Sequence, residues 1–148
     1  LLKRGKSILV GSRGFFLRRL MFFKVTIGLY DANIFVSVGQ NHENLLLSLK
    51  KNYLKISKNI FPIGNHTKAR VIHFDDGSNL IELPKANFNS PDFFESLSHE
   101  ILHVAFDILN TRGFVLSRDS EEAYTYLMGF LVKEIMKKID KQIKVLKK

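Results

Sequence analysis

Cysteine is absent from all 148 residues, which removes disulfide frameworks, thiolate metal sites and cysteine nucleophiles as ways of building or running this protein. Any bound metal must therefore sit on His, Asp or Glu side chains. No apolar run reaches the roughly 18 residues that a membrane-spanning helix requires, and the chain contains no internal repeat or low-complexity tract. Acidic residues are missing from residues 1–20, which hold six basic ones, Lys3, Arg4, Lys6, Arg13, Arg18 and Arg19.

That last absence locates the net charge of +9. Residues 133–148 carry seven lysines against Glu134 and Asp140, whereas residues 21–132 hold 10 basic and 12 acidic side chains. The basicity thus lives at the ends, where it can bind nucleic acid or anionic surfaces weakly and without sequence preference, or simply keep the chain soluble. Met21 falls just before a strand pattern. We therefore expect residues 1–20 to be a basic extension ahead of a natural start at Met21, the other reading being an Arg-rich targeting segment. A hydrophobic content of 45% suffices for one compact domain, expected over residues 21–140, with a lysine-rich tail at 141–148.

From Phe23 the apolar residues alternate (Phe23, Val25, Ile27, Leu29), turn chemistry follows at Tyr30–Asn33, and Ile34, Val36 and Val38 alternate again. This predicts a β-hairpin ending at Gly39. Asn41 is a suitable N-cap for a helix presenting Leu45, Leu46, Leu49 and Tyr53 on one face, which should pack on the sheet. A polar stretch with Pro62 and Gly64 reads as loop. Two short strands are then expected at 69–74 and 79–83 around Asp75-Asp76-Gly77, closed by Pro84.

Ser90-Pro91-Asp92 is a helix start in the expected order: hydroxyl cap, proline at the first helical position, carboxylate against the positive helix end. This helix should run to about Asn110, with Gly113 beyond it. Its apolar residues cover most of its circumference, so it is expected to be buried. A further long helix is expected from Ser117–Ser120, carrying Ala123, Leu127, Phe130, Leu131 and Ile135 before it fades into the lysine-rich tail. The expected fold is α+β, in the order ββαββαα, with a small, mostly antiparallel sheet of about four strands on three helices.

Within the first long helix stands His99-Glu100-Ile101-Leu102-His103, an HExxH pattern. Positions four apart share a helix face, so both imidazoles can reach one zinc ion at roughly 2.0–2.1 Å. Glu100 falls beside such an ion rather than on it, where it can act as general base toward a water molecule. The bland alternative is a pair of core histidines bonded to backbone carbonyls. Catalytic zinc usually takes three protein ligands. Glu121 and Glu122 sit in the next helix, beyond the loop around Gly113 that would fold it back against the first, and either could supply the third ligand; the competing reading for Glu122 is a capping box from Asp119. Tyr126, one turn beyond Glu122, is a candidate donor to a developing oxyanion, or a packing residue. Asp107, one turn beyond His103, could orient an imidazole. His73 is expected to be structural, and nothing is assigned to His42 or His66.

Eighteen residues separate His103 from Glu122, and this HExxH-x18-E spacing resembles that of the gluzincin metallopeptidases; the resemblance makes Glu122 the expected third ligand, with Glu121 as substitute. Residues 69–136 resemble the zincin core, in which a mixed sheet precedes the HExxH helix and an edge strand takes up the peptide as an added strand; that resemblance would make Asn79–Leu83 the edge strand. The layout from about Phe23 to Met136, with its Gly39-Gln40 turn and its stretch from Glu122 to Leu131, looks like small metallopeptidases encoded by tailed phages and related bacterial elements. The Glu-Glu-Ala-Tyr run is also similar to phage-regulatory zinc peptidases, although the helix-turn-helix segment usual to them is missing. These resemblances imply a zinc cofactor, a peptide or protein substrate, and a place in the host cytoplasm or virion. Two other function classes stay open: a zincin-like binding or virion-associated protein whose metal only staples helices, and a basic nucleic-acid-binding accessory protein.

Overall fold

The structure, a computed structural model, describes residues 20–52, 60–85 and 87–145. Outside them lie the basic extension up to residue 19, Tyr53, part of the loop from Ile56 to Lys68, and the last three residues of the tail. Strands β1 (Met21–Ile27) and β2 (Ala32–Val38) form the expected antiparallel hairpin, with Phe23 opposite Val36 and Val25 opposite Ile34. The turn is a single 3-10 turn, Gly28–Tyr30, followed by Asp31 in the left-handed region at φ 45°. A left-handed residue there is tolerable for Asp, whose short polar side chain suffers less than a branched one. Leu29 therefore falls in the turn, not in the strand, and is 85% exposed.

Helix α1 (His42–Lys51) starts where its cap predicts: the Asn41 side chain accepts a hydrogen bond from the Asn44 N–H at 2.9 Å. Strands β3 (Arg70–His73) and β4 (Asn79–Leu83) are joined by a tight turn with Gly77 at φ 80°. The sheet order is β1-β2-β4-β3, with β2 and β4 parallel and the two outer pairings antiparallel. The parallel pairing corrects one expectation. Asn79–Leu83 is not an edge strand: it lies between β2 and β3, and all five of its residues are buried. The edges are β1 and β3. A short hydrophobic strand reads alike at an edge or in the interior; only the crossover through α1, which lays β4 beside β2, decides between them.

The two faces of the sheet carry separate cores. On one, Phe35 and Leu80 meet Leu45 and Leu49 of α1, with Phe22, Ile60, Ile72 and Phe74 at the margin. On the other, Phe23, Val25, Ile34, Val36, Ile81 and Leu83 meet helix α2 (Pro91–Asn110) and helix α3 (Glu121–Val145). The α1 side also holds an ion pair. Arg70 and Glu82 are cross-strand partners; the Arg70 Nε donates to Glu82 at 2.7 Å and its Nη2 to the Phe61 carbonyl at 2.6 Å. Glu82 is almost wholly buried, so this pairing offsets the desolvation of its charge.

Helix α2 ends as its glycine predicts. The Gly113 N–H bonds the Asn110 carbonyl and the Phe114 N–H bonds that of Leu109, the two closures of a Schellman turn, with Gly113 at φ 81°. Helix α3 begins at Glu121, later than expected, because Ser117–Ser120 form a turn: the Ser117 N–H donates to Ser120 Oγ at 3.0 Å and the Ser120 N–H to the Ser117 carbonyl at 3.2 Å. At its far end α3 continues through Val145, so Lys141 and Lys144 are helical. Antiparallel to α2, it packs Tyr124, Leu127, Leu131, Ile135 and Ile139 into the core. Among the described residues no helix is long and apolar enough to cross a membrane.

Candidate metal centre

Helix α2 is two-faced, not wholly buried as its composition predicts. Phe93, Leu97, Ile101, Val104, Ala105, Ile108 and Leu109 point inward, while Phe94, Leu102 and Phe106 remain about two-fifths exposed. Apolar content reports how much of a helix could be buried; how much is covered depends on the neighbours, and only the sheet and α3 lie against α2 in force. The open face carries His99 and His103, both exposed.

The two imidazoles converge. Their Nε2 atoms stand 3.1 Å apart, with ring centroids 4.7 Å apart and ring planes at 76°. Two nitrogens at that separation, each 2.0–2.1 Å from a shared ion, would subtend roughly 95–100°, within reach of the geometry zinc accepts. Without an ion, one neutral ring can donate its Nε2 proton to the other. Among the described residues neither ring bonds a backbone carbonyl, and both are exposed, so the reading as ordinary core histidines does not describe them.

Glu100, one position round the helix, turns inward and is only 6% exposed. Its carboxylate has no hydrogen-bond or ion-pair partner among the described residues. Burial pushes its pKa above the ordinary carboxylate range, opposed by the attraction of charge on His99 and His103. A shallow cleft lined by Lys68, Ala69, Glu95, Ser96, His99 and Glu100 opens beside it. The residue run just ahead of edge strand β3 therefore borders the histidine site, and Lys68 and Glu95 close one rim as an exposed ion pair at 3.6 Å. Lys68, Ala69 and Ser96 were not singled out by sequence reasoning, since nothing local marks a residue that matters only through what packs across from it.

The second carboxylate is differently placed. Glu121 and Glu122 open α3 and are both exposed. Among the described residues, no group of three or more His, Asp or Glu side chains is arranged to hold a metal ion; the convergence on α2 is that of His99 with His103, with Glu100 at the next position. The capping box with Asp119 does not form either: the Glu122 side chain makes no hydrogen bond among the described residues, and only its carbonyl is engaged, by Thr125 Oγ1 at 3.0 Å. Tyr126 is 75% exposed on the outer side of α3, so the alternative reading of it as a packing residue does not hold. Tyr124 is the buried tyrosine; it donates to the Phe114 carbonyl at 2.8 Å and packs on Phe106.

Asp107 does not orient His103. It accepts from Asn79 Nδ2 at 3.1 Å, and its Oδ2 lies 3.5 Å from His73 Nδ1. Asn79 Oδ1 is 2.5 Å from the same His73 nitrogen, a hydrogen bond when Nδ1 carries the ring proton. This His73-Asn79-Asp107 network ties β3 and β4 to α2, giving His73 the structural role expected of it. Comparison with protein-family models, with curated proteins and with solved structures finds no match for this chain.

Proposed function

We propose that this protein is a zinc-dependent hydrolase with a zincin-like core, acting on peptide bonds in a peptide or protein substrate. The observation that carries the reading is the 3.1 Å separation of two exposed imidazole nitrogens on one helix face, with a buried carboxylate of raised pKa at the next position. His99 Nε2 and His103 Nε2 would hold the ion, with the Glu122 carboxylate as the third ligand that the HExxH-x18-E spacing implies. Bound zinc would supply a Lewis acid for the scissile carbonyl and acidify a water molecule. Glu100 then takes the proton of the attacking water on its carboxylate and passes it to the leaving amine nitrogen, a task for which a pKa above the usual carboxylate range is suited. The exposed strand edge along Arg70–His73, beside the cleft, is where an extended peptide could add as a further strand.

Metal analysis of the purified chain tests this directly. About one zinc per chain is expected, lost in His99→Ala and in His103→Ala. Glu100→Gln should keep the metal and hydrolyse nothing in a mixed peptide library that the parent protein cleaves. Zinc retained at full stoichiometry in the double histidine variant would refute the site. Hydrolysis surviving in Glu100→Gln would refute the mechanism and leave a metal that only staples helices.

A further inference from the structure

The outer face of α3 carries a second chemistry, independent of the histidine pair. The inner face of this helix is fully used: Tyr124, Leu127, Leu131, Ile135 and Ile139 are all buried. On the opposite side Tyr126, Phe130, Lys133, Lys137, Lys141 and Lys144 follow one another at intervals of three or four residues, a spacing that sets them in one line along the helix. All six are exposed, Tyr126 to 75% and Phe130 to 42%. From the first to the last the helix advances about 27 Å. Between Lys133 and Val145 five lysines face only Glu134 and Asp140, leaving a local charge of +3; Glu134 is taken by Lys137 at 2.9 Å. Exposed aromatic rings at one end of a row of lysines combine the two elements that hold an unpaired strand: a π-face for each of one or two bases, and ammonium groups that follow the phosphates.

We propose that this face of α3 binds single-stranded nucleic acid, with bases stacked on Tyr126 and Phe130 and the phosphate backbone running along Lys133, Lys137, Lys141 and Lys144. A membrane surface fits it less well. An interfacial helix sinks its apolar stripe into the lipid, and the apolar stripe of α3 is already packed in the core, while the one exposed aliphatic side chain of α3 among the described residues is Val145 at its far end. Duplex DNA fits less well also, because its bases are not free to stack on the two rings.

The test is fluorescence anisotropy of a labelled oligothymidylate of about 12 nucleotides, titrated with the full chain at several salt concentrations. Replacing all four lysines by Gln should weaken binding at least tenfold at low salt and make the slope of log K against log salt less negative by about 3, the contribution of four phosphate contacts on a single strand. Phe130→Ala and Tyr126→Ala should each weaken binding roughly five- to a hundredfold while leaving the slope unchanged. Lys24→Gln with Lys50→Gln, exposed lysines on other elements, should change nothing. Melting curves of the variants, all at exposed positions, check that the fold is intact. An unchanged slope in the four-lysine variant, neutral aromatic variants, or lysine-dependent retention on phosphatidylserine vesicles without oligonucleotide binding would each overturn the proposal.

Discussion

His99 and Glu100 are adjacent in the chain, yet the first is exposed and the second is 6% exposed. One step of about 100° around α2 is enough to carry the chain from the solvent face, where the His99 Nε2 meets that of His103, to the seam against the segment before β3, where the carboxylate is largely shielded at the wall of the cleft. A metal site with its base beside it needs this division: ligands open to the ion, base held apart in a poorly hydrated wall.

Zinc should stabilise the folded chain through the histidine pair. At free zinc about a hundredfold above its dissociation constant, mass action adds about 2.7 kcal/mol, which for a chain of this size raises the melting temperature by about 5–10 °C. Scanning calorimetry should show this rise in the parent and none in His103→Ala. An equal rise in both would mean that the ion binds elsewhere.

Glu122→Ala should lower zinc affinity by tenfold or more in competition against a fluorescent chelator, with Glu121→Ala near the parent value. The two residues are adjacent and both exposed at the start of α3, so general loss of negative charge would affect both alike. Equal effects would therefore remove Glu122 from the ligand set.

Burial raises the Glu100 pKa, which fixes the sign of a pH effect. A carboxyl whose pKa is higher folded than unfolded binds more protons in the folded state. Its contribution is fully present below the unfolded value and is lost as pH rises through the folded one. In the metal-free protein, then, stability due to this group falls from the ordinary carboxylate value of 4.5 upward. Glu100→Gln cannot ionise and should be more stable than the parent at pH 7, with a flatter dependence on pH, by urea denaturation. A Gln variant less stable than the parent at pH 7 would show that the carboxylate is not desolvated.

Arg70→Met should destabilise the fold by roughly 3 kcal/mol, since it leaves Glu82 buried and unpaired. The double variant Arg70→Met/Glu82→Leu should recover most of that loss, because the cost lies in the abandoned charge rather than in the missing contact. Denaturant midpoints at an unchanged m-value measure both; no recovery in the double variant would place the loss in packing instead.

Asn79→Ala should cost about 2 kcal/mol by leaving Asp107 and His73 short of a partner in a site where Asn79 is wholly buried. Amide exchange should quicken first in Arg70–His73, the edge strand that this network ties to α2. Uniform exchange changes across the sheet would mean that the network holds the core and not the edge.

Local features of the chain were legible wherever a local rule governs them. Asn41 capping α1, Ser90-Pro91 opening α2, Gly113 closing it and Gly77 turning β3 into β4 each follow from the conformational limits of one or two residues. The histidine pair belongs with them, since i and i+4 on a helix must share a face. Features that depend on what arrives from elsewhere in the chain were not legible. Asp107 is within reach of His103 by helical spacing, but it is taken by Asn79 and His73 from the sheet. Asn79–Leu83 has the composition of a strand at an edge or in the interior.

By itself, then, the sequence determined the element order, the caps and turns, and the convergence of His99 with His103, because each is settled within about one helical turn or one hairpin. Tertiary structure alone decided that β4 is interior and that Glu100 is buried while His99 and His103 are exposed. Those outcomes depend on which surfaces cover which, and packing between distant segments leaves no periodic trace in the segments themselves.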